Sequence, residues 1–285
     1  MSRVKRGCIT ALAALLSVQF AMPAGNVHAV DNTERKGYIA QVQTGAHWAQ
    51  ASIDRWLGLG VVQGYPDGSF HPNEKVTRAE LAAIINRLFG YTGKAEVPFA
   101  DIPQGAWYGE TLSLAKAAGY YEGFPGNLSK ATAYISRQDA VTLISKAFSL
   151  KNESATNPVS FTDAAEISGY AREAVAALAG AVSGYPDGSF GPERTMTRAE
   201  LITVIDHLVA KFYRNPGAFS DGEISGNAIV KQSDVTLKNG TIAGNLYLAP
   251  GIGDGNAELQ GLTVKGTAFV SGGGEHSIQI GDSTL

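Results

Sequence analysis

Apolar side chains recur at i, i+3, i+4 and i+7 in three separate stretches of the chain: Leu81, Ile84, Ile85 and Leu88; Ala140, Leu143, Ile144 and Ala147; Leu201, Val204, Ile205 and Leu208. That spacing predicts three amphipathic helices, each with one buried stripe. A four-residue start precedes each of them: Thr77-Arg78-Ala79-Glu80, Ser136-Arg137-Gln138-Asp139 and Thr197-Arg198-Ala199-Glu200. In all three the Thr or Ser follows a glycine (Gly64, Gly123 or Gly184) by 13 residues. The loops Gly64–Phe70 and Gly184–Phe190 both read GYPDGSF, 120 residues apart, and the middle loop has drifted to GFPGNLS. Trp48 and Trp107 each stand 16 residues before their glycine, and Tyr170 stands 14 before its own, which predicts a leading helix in each unit, the third one shorter.

Each unit is therefore a helix, a turn-rich loop and a second helix. One such pair cannot bury its stripe alone, whereas three can bury theirs against one another. The expected fold is an α-rich, pseudo-threefold helical domain with repeats at 47–90, 99–148 and 161–213, followed by a linker at 214–223. Past Ile224 the helical period stops. Leu237 and Ile242 recur as Leu259 and Val264 and again as Ile280 and Leu285, at steps of 22 and 21 residues. Gly244–Leu248 likewise matches Gly266–Val270. Short β-branched segments with glycine at the corners, at this period, predict coils of a right-handed parallel β-helix over 224–285. An uncapped last coil leaves strand edges open, so the expectation is a fragment of a longer chain or a partner over that end.

Composition adds an address. Arg3, Lys5 and Arg6 precede an apolar run from Cys8 to about Met22, and Val27-His28-Ala29 supplies small residues at −3 and −1. Residues 1–29 thus read as a cleaved secretory signal and 30–46 as a lead-in. No other apolar run reaches the length of a membrane span. Cys8 is the sole cysteine, so the mature chain carries no disulfide. Without the signal, 20 basic side chains stand against 26 acidic ones, a net charge of about −6. This argues against nucleic acid and against a polybasic membrane patch.

The repeated starts carry two kinds of chemistry. Thr77 with Glu80, and Thr197 with Glu200, form capping boxes, and Ser136 with Asp139 a shorter version. Pro66, Asp67 and Gly68, like Pro186, Asp187 and Gly188, are turn formers. Folding does not need the arginines. Arg78, Arg137 and Arg198 all occupy the first helical position, where the helix dipole is already positive. A guanidinium beside free helix N–H groups suits a carboxylate; the alternative is an internal Arg–Glu pair. Trp48 and Trp107 read first as core aromatics, with a sugar-stacking platform as the alternative. His47, His71, His207 and His276 show no metal-ligand spacing, and neither a metal nor a cofactor is expected.

The pattern of aromatic, helix, GYPDGSF, TRAE and helix resembles the S-layer homology (SLH) domain, over residues 38–213. Phe99-Ala100-Asp101 and Phe161-Thr162-Asp163 open the second and third repeats in the same style. The resemblance implies a pseudo-threefold helical spindle and a bacterial cell-surface location, in the cell wall or S-layer of a Gram-positive organism. It also implies non-covalent binding of a secondary cell-wall polysaccharide bearing a pyruvate ketal, with other surface-layer proteins as further partners. Carried over residue by residue, Arg78 and Arg198 grip the ketal carboxylate, Arg137 is the doubtful third, and Glu80 and Glu200 orient the helix starts. Trp48, Trp107 and Tyr170 are the ring platforms, and Gly64, Asp67 and Gly68 with Gly184, Asp187 and Gly188 line the grooves. The second repeat departs from the pattern, so one or two working grooves are expected.

The leading function is wall anchoring without catalysis. The alternatives are a wall-tethered polysaccharide lyase or hydrolase built on the β-helix, or a passive self-associating β-helix. Asp221, Glu223, Asp234, Asp254, Glu258 and Glu275 are the candidate carboxylates for the enzyme, but they sit mostly in glycine-rich corners, where acids commonly form turns.

Overall fold

The computed structural model describes residues 47–65, 67–151 and 160–285. The expected signal, the lead-in and Pro66 lie outside these. Six α-helices come first: α1 Gln50–Gly58, α2 Arg78–Phe89, α3 Tyr108–Ala117, α4 Arg137–Ala147, α5 Arg172–Ala177 and α6 Arg198–Leu208. The second helix of each unit starts on its cap. The Thr77 and Thr197 hydroxyls accept from the Glu80 and Glu200 amides, and each glutamate returns to its threonine's N–H, at 2.8 and 2.7 Å. Ser136 accepts from the Asp139 amide only. The leading helices have no side-chain cap, and the third has six residues against nine and ten in the others.

The three units close on one another. The Val76 amide donates to the Met196 carbonyl, Met196 to Ile135, and Ile135 back to Val76, at 3.0, 3.0 and 2.9 Å. All three side chains are buried. The second helix of each unit also packs on the leading helix of the next: α2 on α3, α4 on α5 and α6 on α1. The hydrophobic stripes meet in one core around Trp56, Leu81, Ile85, Leu112, Ile144, Leu201 and Ile205.

The β part begins earlier than the composition suggests. α6 runs directly into β1 (Val209–Tyr213), and β2 (Gly217–Phe219) and β3 (Glu223–Ile224) follow. β1 therefore falls within the expected third repeat and β2 within the expected linker. The helical period is lost at Val209, whose extended backbone ends α6 and starts a strand of β-branched and aromatic residues. Next come β4 (Asn227–Val230), β5 (Val235–Ile242), β6 (Leu246–Leu248), β7 (Ala257–Val264), β8 (Ala268–Val270) and β9 (Ile278–Gly281). They wind into a β-solenoid of about three turns. One parallel sheet has the order β1-β4-β6-β8, and the other the order β2-β5-β7-β9, with β3 also paired to β5. Leu237, Leu259 and Ile280 stack in register, as the sequence period requires. At one corner a ladder runs up the coils: the Asn227 side-chain oxygen accepts from the Asn245 amide, and that of Asn245 from the Thr267 amide, both at 2.8 Å. A Cβ on Gly244 would lie 2.4 Å from the Asn227 oxygen, so the corner requires glycine.

The helical body and the solenoid share a core. Ile229, Tyr247 and Ala249 on the β4–β6 face are buried among the helices. Tyr247 stacks edge-on against Phe89 and Phe148, at 5.7 and 5.5 Å between ring centroids. Its hydroxyl donates to the Phe148 carbonyl at 2.8 Å.

Candidate binding grooves

The helix N-termini are not open anion sites. The amides of Arg78 and Ala79 donate to Ala133 and Ala131, those of Arg137 and Gln138 to Arg194 and Pro192, and those of Arg198 and Ala199 to Glu74 and Pro72. The donors expected to face a ligand are thus consumed in joining neighbouring repeats.

Each arginine instead reaches across to the next repeat. Arg198 donates through Nε to the Phe70 carbonyl at 2.9 Å and through Nη2 to the Gln63 carbonyl at 2.8 Å. Its guanidinium lies over Tyr65 and Phe70, at 4.9 and 4.4 Å from the ring centroids, and 3.8 Å from Glu80. Arg137 repeats this in the third unit: it bonds the Ser183 carbonyl, lies over Tyr185 and Phe190, and stands 3.7 Å from Glu200. Arg137 is buried, and its Nε has no hydrogen-bond partner among the described residues. Arg78 differs. It pairs directly with Asp139 and lies 4.7 Å from the Phe124 ring centroid.

Two grooves follow from this cyclic plan. The larger, about 640 Å³, joins Arg137 of the second repeat, Tyr185, Glu200 and His207 of the third, and Trp48 of the first. The smaller, about 250 Å³, joins Arg198 of the third, Tyr65, Glu80 and Arg87 of the first, and Trp107 of the second. Gly64 and Gly184 lie on these walls. Trp48 and Trp107 are 65% and 56% exposed, so the core reading of both is corrected. The reason is local: Trp48 precedes α1, and Trp107 is the residue before α3, so neither belongs to a buried helical stripe. In the third position the Tyr170 hydroxyl donates to Asp139 at 2.6 Å. The hollow beside it is lined by Thr142, Lys146 and Glu173, with neither Arg78 nor Asp139 on its wall.

The surroundings of the arginines do not follow the order in which the sequence ranked them. Arg137 sits in the degenerate repeat yet faces the intact loop of the third, and so lines the larger groove. Arg78 sits in an intact repeat but faces the drifted loop and shortened acid of the second. Asp67, Gly68, Asp187 and Gly188 lie outside both grooves. The Asp67 carboxylate accepts from the Ser69 hydroxyl and amide and bonds His71, which holds its pKa down at about 2. Asp187 is lowered in the same way by Ser189. Gly68 and Gly188 take φ of 81° and 79° to close the turns.

The sequence reading missed Tyr65 and Tyr185, which floor the arginines. Burial raises the pKa of both phenols, and the Glu200 hydrogen bond adds to the rise at Tyr185. It also missed a basic residue nine positions after each arginine, Arg87, Lys146 and His207, a signal visible in the aligned repeats. Of the solenoid carboxylates, Asp221 is held by Lys211 and the Tyr213 hydroxyl at 2.6 and 2.7 Å, and Glu258 by Thr236 and Gln260. No helix among the described residues is long and apolar enough to cross a membrane.

Comparison with known proteins matches the first and third repeats to one family. The S-layer homology domain family matches residues 43–82 and 160–202, which leaves out the drifted middle repeat. An amylopullulanase from Thermoanaerobacterium thermosulfurigenes is 32% identical over 58% of this chain and 9% of its own length. A surface-layer 125 kDa protein from Lysinibacillus sphaericus is 23% identical over 68% of this chain and 16% of its own. A cellulosome-anchoring protein from Acetivibrio thermocellus is 32% identical over 35% of this chain and 24% of its own. The chain spans a quarter or less of the length of each. The chain thus carries S-layer homology domain sequence at residues 43–82 and 160–202, within a body of three helix pairs that is followed by a β-solenoid.

Proposed function

We propose that the helical body anchors an exported chain to the bacterial cell wall by holding an acidic polysaccharide in two grooves, those of Arg137 and Arg198. One observation carries the reading. Each groove brings together an arginine from one repeat, an acid and a tyrosine from the next, and an exposed tryptophan from the third. A guanidinium fixed by carbonyls and aromatic faces suits a carboxylate, and the indole face suits a sugar ring. A sugar carrying its own carboxylate, such as a pyruvate ketal, meets both requirements at once. The unpartnered Nε of Arg137 adds a buried donor beside the larger groove. The printed names of the relatives, surface-layer and cellulosome-anchoring proteins among them, fit a surface anchor. The reading requires no reaction chemistry, and surface-layer proteins are natural neighbours of such an anchor.

The test is sedimentation with purified walls, before and after mild acid removes the ketal. Binding should be lost with the ketal. Undiminished binding to the stripped walls counts against the carboxylate reading.

A further inference from the structure

The groove of Arg198 does not end at Arg87. α2 runs from Glu80 in its first turn to Gly90, the left-handed residue that caps its end. Arg87 lines the groove seven residues beyond Glu80, about 10 Å along the helix axis. Past it the solenoid takes over. Lys231 directly follows β4, and its side chain crosses the end of α2, with Cε 3.2 Å from where a Cβ on Gly90 would stand.

Charge is unbalanced along this path. Arg198 and Arg87 lie on the groove wall, where the acid is Glu80, one of whose oxygens is committed to the Thr77 cap. Lys231 lies beyond them, against Gly90 at the end of α2, three residues after Arg87. Arg87 donates to the Val61 carbonyl at a long 3.5 Å. Among the described residues no carboxylate pairs with Arg87 or Lys231. Burial, with Arg198 beside it, depresses the Arg87 pKa, and burial, with Arg87 and Arg214 near, depresses that of Lys231. The negative end of the α2 dipole offsets part of this repulsion, but a dipole terminus is worth less than a full opposite charge. An anionic ligand would supply the missing countercharge.

We propose that Arg87 and Lys231 form a second anion subsite, so that the solenoid contributes a residue to polysaccharide binding and this groove reads a further acidic group beyond the one at Arg198. This rests on the anchoring reading above. The ligand class is a polyanionic polysaccharide with acidic substituents on more than one unit.

Calorimetric titration of the full chain separates the two sites. One probe is a methyl hexoside with a single pyruvate ketal, and the other is a wall-polysaccharide fragment of two or more repeating units. Arg198→Gln should weaken both probes. Lys231→Gln should weaken the fragment about tenfold and leave the hexoside unchanged, Arg87→Gln should weaken the fragment more than the hexoside, and Lys231→Arg should retain fragment binding. A fragment affinity untouched by Lys231→Gln overturns the second subsite alone. So does a variant that melts earlier with its affinity intact, because Lys231 then only complements the helix end. Failure of the unaltered chain to bind either probe overturns the anchoring reading, and this one with it.

Discussion

Asp139 is held from two sides, by Arg78 of the first repeat and by the Tyr170 hydroxyl of the third. The carboxylate and aromatic of this third position satisfy its arginine and each other. The two open grooves keep their arginine and glutamate 3.7 and 3.8 Å apart, beyond hydrogen-bond length.

Arg78 should accordingly matter for folding more than for binding. Arg78→Gln removes one partner of a largely buried pair and should cost about 2 kcal/mol, read from chemical denaturation. Wall affinity of the folded variant should stay within about twofold of the original, whereas Arg198→Gln should lower it tenfold or more. Comparable losses of affinity in both would mean that the closed position also binds.

The exposed tryptophans give a cleaner reading of the grooves. Trp48→Ala and Trp107→Ala should each weaken wall binding about tenfold, with little change in melting temperature because neither ring is in the core. Trp56, fully buried, is the internal control: its replacement should destabilise the helical body.

The capping boxes are local. Thr77→Ala and Thr197→Ala should each cost about 1 kcal/mol in unfolding free energy, and Ser136→Ala less, since Asp139 does not return the bond.

Acid should loosen the loops first. The pKa of Asp67 falls from 3.8 unfolded to about 2 folded, and Asp187 is lowered too, both by bonds from a serine two residues on. Burial works against ionisation at Asp101, but the bonds from Ser129 and Lys130 win and lower it. A depressed carboxyl contributes stability above its unfolded pKa and loses it as pH falls through the folded one. Stability should therefore decline between about pH 4 and pH 2. Asp67→Asn should flatten that slope in denaturation curves taken across this range.

Much of this was legible in the sequence. Both capping boxes, the short third leading helix and the 22-residue coil register were read from spacing, because each depends on residues close in the chain or on strict periodicity. What spacing could not show is which repeat a side chain faces. Arg137 looked like the weakest arginine because its own repeat has drifted. Its groove is built from Tyr185, Glu200 and Trp48, all in other repeats, so the drift damages the surroundings of Arg78 instead. The start of the solenoid at Val209 was hidden for a related reason: the helix ends at Leu208 and strand pairing begins at the very next residue, while composition changes only later.

Tyr247 provides the last test. Tyr247→Phe removes one buried hydrogen bond and should cost about 1 kcal/mol. Tyr247→Ala should cost about 3 kcal/mol or more and split thermal unfolding into two transitions, followed by calorimetry. A single transition in the alanine variant would show that other contacts join the two parts.

That shared core has a mechanical meaning. With Tyr247 seated between Phe89 and Phe148, the solenoid has no swivel where it leaves the helical body. A sideways pull on the far coils would reach the helical body as torque, rather than being dissipated in a slack joint. The chain is built as a bracket, its two arms joined through the packed rings of Phe89, Phe148 and Tyr247.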